Sequence, residues 1–417
     1  MTSLANILLA IIIVYLPYQL HFPIVFDVKG INFINLLFFF ALLPVLMRKE
    51  KSQTLTPIKW NFFALFGLLV MAFLVAQARD GSRFADDLTI LKTYIFYPLF
   101  YFLYFAAVRD VKTIRFLMLT MLFVTAVISL QTMRQGIDYG FGEYSHSKRA
   151  AGPFGKDFRG SNAAAAYFVI FVPLFVAAFL QYRLKLYERV IVAGAIFLGV
   201  FATFVTYSRQ AYIILSAVFI LHAMRRSIVI AILIVLFVSS YEVWAPATVI
   251  TRIQMTEMTD ESGEMVVDES TASRFLLWEG GTQMLGDHPL GVGLAHFPIE
   301  IGKYVPEYSN FDPHNGFVLI TTEAGFLAVP VLLFFFGGLF SLGWRLSRFK
   351  KIEDARFLGG AYMVAVVGVI ASNLFGSRLF NGEIMGNFWI LSALVARYLM
   401  ILKVKTPQIP IPASVAR

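Results

Sequence analysis

The sequence predicts an all-α, polytopic integral membrane protein of about twelve transmembrane helices, a single membrane domain over residues 1–417. Three observations carry that prediction. The chain is 58% hydrophobic and 15% charged, with 43 Phe and a mean hydropathy of +0.72, whereas soluble domains are about 45–50% apolar and about 25% charged. Apolar runs of roughly 17–25 residues, enough to cross about 30 Å of hydrocarbon, recur along the whole length. The polar residues gather in the segments between those runs.

The runs fall at about 4–20, 31–47, 60–78, 88–107, 114–133, 161–182, 190–206, 210–224, 227–244, 315–343, 357–375 and 384–401. Each reads as a helix, the form in which a single segment satisfies its own backbone inside a bilayer. The first lacks a basic start and a small-residue cleavage site, so it reads as a retained span. With the N-terminus inside, 21 of the 35 Lys and Arg lie on the inner side and 14 on the outer, against 5 and 21 of the 26 acids. The Lys/Arg bias sets orientation, so both termini are expected in the cytoplasm. The same bias accounts for the net charge of +9 without nucleic acid as a partner.

The inner connections are short, and two outer ones are long: 134–160 and 245–313, the latter between spans nine and ten. Long connections are usually functional or disordered, so any chemistry is expected outside. The absence of cysteine excludes disulfides, thiolate metal sites and a cysteine nucleophile. Within 245–313, the stretch 257–269 holds six acids and no base, and reads as a solvated excursion. "STASRFLLWEGGTQML" reads as a helix starting near Thr271, with Arg274 in its first turn and Trp278 toward the membrane interface. "GDHPLGVGLAHF" is a Gly/Pro-punctuated turn region, whose GxG lacks the third glycine and preceding strand of a dinucleotide site.

Four groups of residues could carry chemistry. In "VTYSRQAYIIL" two apolar runs meet at Ser208-Arg209-Gln210. If Ser208 caps the next helix, Arg209, free N–H groups and the helix dipole together form an anion site. The plainer reading is an interfacial arginine snorkelling to lipid headgroups. Arg274, in a helix first turn on the same face, favours a shared phosphate-type ligand. "SHSKRAAGPFGKDFRGSN" places Lys148, Arg149, Lys156 and Arg159 where positive charge is disfavoured, with Ser161 or Asn162 able to cap the next helix. Headgroup binding and substrate binding both suit it. In "FDPHNGFVLITTEAGF", His314 follows Pro313 and precedes the helix that Asn315-Gly316 opens. Its ordinary pKa of about 6.5 suits a general base, although a lone interfacial histidine is the commoner case. Glu323, nine residues on, lies on the opposite helical face and reads as a structural partner. His288, His296, His314, Asp287 and Asp312 share one loop, but their spacing matches no zinc pattern.

Taken in order, "GPFGKDFRGSNAAAAYF", "TYSRQAY", "SRFLLWEGGTQMLGDHPLGVGLAHF" and "DPHNGFVLITTEAGFLAVP" resemble the O-antigen ligase and O-antigen polymerase superfamily. The resemblance covers roughly 152–330. It implies a membrane glycosyltransferase in the inner membrane, with its active site on the periplasmic face. Such an enzyme moves a glycan from undecaprenyl diphosphate to an acceptor hydroxyl, by inversion and without metal or other cofactor. It implies Arg209 and Arg274 as ligands of the diphosphate and His314 as the base. Arg149, Lys156, Arg159 and Asn315 become candidate substrate contacts. The implied partners are an undecaprenyl-diphosphate-linked glycan, a lipid A core or saccharide acceptor, and membrane lipids.

The motifs leave ligase and repeat-unit polymerase open. A polysaccharide or lipid-linked-sugar flippase predicts related halves and mid-membrane charges; no convincing repeat is visible, and most charges sit at span ends. A metal-dependent glycosyltransferase with paired acids in its first outer loop fits poorly, since "HFPIVFDVKG" has one Asp.

Overall fold

A computed structural model describes residues 4–22, 32–48, 56–140, 144–155, 158–255, 257–259, 265–267 and 269–405. The helices in order are α1 (Leu4–Tyr18), α2 (Phe33–Leu46), α3 (Lys59–Arg79), α4 (Phe84–Phe96), α5 (Leu99–Ala107) and α6 (Val111–Tyr139). There follow α7 (Ser161–Gln181), α8 (Leu186–Val205), α9 (Arg209–Arg226), α10 (Ile228–Ser239), α11 (Tyr241–Trp244) and α12 (Ala247–Gln254). A two-stranded antiparallel hairpin, β1 (Glu257–Thr259) and β2 (Met265–Val267), pairs Glu257 with Val267. The chain ends with α13 (Glu269–Asp287), α14 (Phe297–Glu300), α15 (Gly316–Ala324), α16 (Ala328–Ser347), α17 (Glu353–Leu374) and α18 (Gly382–Lys405).

Among the described residues, eight segments are long and apolar enough to cross a membrane: α3, α4 with α5, α6, α7, α8, α16, α17 and α18. The other four expected spans coincide with α1, α2 and α10, which are shorter apolar helices, and with α9, whose arginines and histidine dilute its apolar run. Burial separates centre from periphery. The α7 segment is 89% buried and the α18 segment 83%, against 28% for α8. The centre is therefore α7, α17 and α18, with α8 on the rim. Small residues close the packing, as expected where lipid supplies no hydrophobic drive between helices. A Cβ at Gly359 of α17 would meet the Gly343 carbonyl of α16 at 2.6 Å.

Three expectations need correction. The run at 315–343 is two helices, not one. Gly325 ends α15 at φ +74°, and a Cβ there would lie 2.4 Å from the Pro289 carbonyl oxygen. The turn after α13 fills the break: Phe326 N–H donates to Pro289 O at 3.0 Å, and Val292 N–H to Thr322 O at 3.0 Å. The break lies at the start of α16, which by itself is long enough to cross the membrane. The run at 88–107 is likewise two helices, α4 and α5, meeting at Pro98. The 245–313 connection, read as a loop with one helix, also holds α12, the hairpin and α14.

Candidate active site

The ends of the helices define one face. Tyr182, just past α7, donates to Asp354 at the start of α17, so these helices run antiparallel. The start of α7 and the end of α17 therefore share the opposite face. His314 belongs to that face: Ser377, three residues beyond α17, donates through Oγ to Asp312 Oδ1 at 2.8 Å.

Local sequence fixes His314 closely. Asp312 Oδ1 also accepts the His314 backbone N–H at 2.7 Å and lies 3.6 Å from its Nδ1. Pro313 restricts the residue before it, and Trp278 Nε1–H donates to Pro313 O at 2.8 Å. Trp278, expected at the lipid interface, thus joins α13 to the histidine loop. His314 itself adopts φ +52°, a left-handed conformation that is uncommon outside glycine. Its side chain remains 48% exposed. Asn315 then opens α15 as expected, accepting from the Phe317 and Val318 N–H groups. That role commits its oxygen to backbone, and the residue is buried.

Burial pushes the His314 imidazole below its ordinary pKa, and the Arg274 and Arg378 guanidiniums push the same way, while Asp312 opposes them. Arg274 differs from expectation in one respect. Because α13 starts at Glu269, the arginine stands in the second turn, past the strongest part of the helix dipole.

A second group of cations surrounds Arg149. Its Nε donates to Thr206 O at 2.9 Å and its NH2 to Asn162 Oδ1 at 2.6 Å. The residue is buried, and among the described residues it has no carboxylate partner. Burial lowers its pKa to about 10, and the nearby Arg252 and Arg209 contribute to the lowering. Arg209 is the first residue of α9 and half-buried. Ser208 precedes it without capping, since its hydroxyl makes no hydrogen bond. Asn162 does not cap α7 either, being turned to Arg149 instead. Arg252 lies 4.9 Å from the Tyr144 ring and donates to Tyr207 O. Arg159 is exposed in a 3-10 turn, and Lys156 lies outside the described residues.

The other loop histidines have other tasks. His288 Nδ1 meets Arg79 at 3.1 Å, and buried His296 faces Leu294 O through Nδ1 at 2.8 Å. Asp287 accepts from the Tyr304 hydroxyl. Glu323 is buried, with Oε1 accepting the Phe297 N–H at 3.4 Å, which matches a structural partner. Sequence reasoning missed Arg378, Ser377 and Arg252, and weighed Asp312 only as a metal ligand. Arg378 did carry a signal, as a cation in the short outer turn "NLFGSRLFNGE" where positive charge is disfavoured.

Residues 158–333 match the family model described as O-Antigen ligase. The matched segment contains Arg159, Arg209, Arg274 and His314. No curated protein matches the chain.

Proposed function

We propose that this chain, whose residues 158–333 match the family model described as O-Antigen ligase, is an inverting glycosyltransferase of the O-antigen ligase and polymerase superfamily using an undecaprenyl-diphosphate-linked glycan. The observation that carries the proposal is His314, an exposed imidazole held 3.6 Å from Asp312 at the start of α15, whose pKa is lowered by burial and, more weakly, by the Arg274 and Arg378 guanidiniums. In this reading His314 accepts the proton of the acceptor hydroxyl. The acceptor oxygen bonds to the anomeric carbon as the bond from that carbon to the diphosphate oxygen breaks. Attack from the far side inverts the centre. The departing diphosphate carries the negative charge that develops, and Arg209 and Arg274 stabilise it, as preorganised cations do in a water-poor site. Arg149, a buried cation without a carboxylate among the described residues, suits the same anion. A periplasmic site would bring a lipid-borne donor and a water-side acceptor together at His314.

Ligase-type transfer to a lipid A core is the reading adopted, with repeat-unit polymerisation as the alternative in the same superfamily. Purified protein incubated with lipid-linked glycan and both acceptors tests it. Glycan on lipid A core supports the ligase, and a longer glycan still on undecaprenyl diphosphate supports the polymerase. Translocation of lipid-linked sugar across vesicles without any new glycosidic bond would overturn both.

A further inference from the structure

At the face that carries the arginines, α6 and α8 touch. Gly136 comes so close to Val205 that a Cβ on the glycine would lie 2.5 Å from the valine Cβ. Toward the opposite face the two helices part around a cavity of about 420 Å³, closed behind by α7, α17 and α18. Met118, Leu122, Ala178, Ile191, Val192 and Phe357 give it apolar walls. Its polar groups gather at one end. There Asp354 accepts from Arg115 Nε at 2.9 Å and from the Tyr182 hydroxyl at 2.5 Å, which ties α6, α7 and α17 together. Glu188 is committed to the Lys185 backbone N–H at 2.8 Å. Lys112, Lys185 and Arg189 do not line the cavity but are exposed next in sequence to its lining residues Val111, Leu184 and Glu188, with Lys185 Nζ 5.9 Å from the Tyr187 ring.

We propose that this cleft binds an anionic phospholipid, with one acyl chain between α6 and α8 and the phosphate among Lys112, Lys185 and Arg189. The lips of the cleft, Leu119 and Ile191, are 65% and 66% exposed on helices that cross the membrane, so it opens to hydrocarbon. Left empty, its walls would lose dispersion contacts on one side. A volume of 420 Å³ is too small for a partner helix about 10–12 Å across, and the apolar walls reject a free phosphate. An amphiphile satisfies both ends, and basic pockets between transmembrane helices favour anionic headgroups over zwitterionic ones. The site lies on the face opposite His314, so it stands independently of the glycosyl-transfer reading.

Native mass spectrometry of the detergent-solubilised full chain tests it, after equilibration with vesicles of phosphatidylglycerol or of phosphatidylcholine with the same chains. Wild type should retain one phosphatidylglycerol, preferred by about fivefold for each basic group engaged. Lys185→Gln with Arg189→Gln should reduce that preference while leaving chain binding in place. Ala178→Trp fills the cleft from its floor and should abolish retention; Ile191→Trp, from the exposed lip, does the same without loading the core. Equal retention of the two lipids by wild type overturns the headgroup assignment. Undiminished phosphatidylglycerol in a correctly folded Ile191→Trp protein overturns the site.

Discussion

Replacing Arg149 with methionine separates an anion ligand from a structural cation. In the free protein two effects oppose. Thr206 O and Asn162 Oδ1 each lose a donor, at about 1–3 kcal/mol apiece. Against this, a guanidinium with no described carboxylate partner leaves the interior, where an uncompensated charge costs several kcal/mol, and its repulsion with Arg209 and Arg252 ends. The two sides are of similar size, so the melting temperature of the free variant should move little. With ligand the balance changes. A charge-assisted bond to the diphosphate is worth about 1.5–3 kcal/mol, which is roughly a ten- to hundredfold loss of affinity. Ligand stabilises by RT ln(1 + [L]/Kd), so the thermal shift given by undecaprenyl diphosphate at fixed concentration should shrink accordingly. Scanning fluorimetry with and without that lipid reads both quantities. A variant that melts far below wild type yet keeps the full ligand shift would refute the reasoning and leave Arg149 structural.

His314→Ala should nearly abolish transfer, since a general base contributes typically 10²–10⁴-fold, whereas His288→Ala and His296→Ala should cost much less in the same assay. Because burial, Arg274 and Arg378 all disfavour the protonated ring, activity should persist through neutral pH and fall only below the ordinary imidazole value of about 6.5. In pH–rate profiles Asp312→Asn, which removes the opposing charge, should move that acid limb lower, and Arg378→Gln should move it higher. Arg209→Lys and Arg274→Lys should each lose about ten- to hundredfold through loss of the bidentate fork, measured as initial rates that EDTA leaves unchanged. Single cysteines placed in 134–160 and 245–313 should react with an impermeant reagent from outside, and those in 344–356 should not; the reverse labelling pattern would invert the topology.

Most of the bundle was legible because apolar run length is a local property. The breaks at Gly325 and Pro98 were not, since a glycine or proline inside an apolar run also occurs in continuous membrane helices. What opens the 315–343 run is the turn after α13, which supplies Pro289 O to Phe326 and is invisible to any window of sequence. Single-residue readings fared in the same way. Asn315 caps as its position suggests, while Ser208 and Asn162 do not, because Arg149 arrives from outside their segments and takes the Asn162 oxygen. Histidine and proline stand together in "DPHNG", so His314 could be picked out as a candidate. Its neighbours Arg378 and Ser377 reach it across 65 residues of chain, as the Ser377–Asp312 bond records.

The burial of α7 bears on how the protein is made. Its segment is the most apolar of the eight, yet 89% of it ends up against protein. In the finished bundle that greasiness faces other side chains, and a helix so placed has little lipid to satisfy. The apolar surface is needed earlier, when a nascent helix stands alone in lipid before neighbours assemble around it. In chain order α7 precedes α8, α17 and α18, which pack around it in the finished bundle. A polar substitution along it should lower the yield of inserted protein more than the stability of the folded bundle.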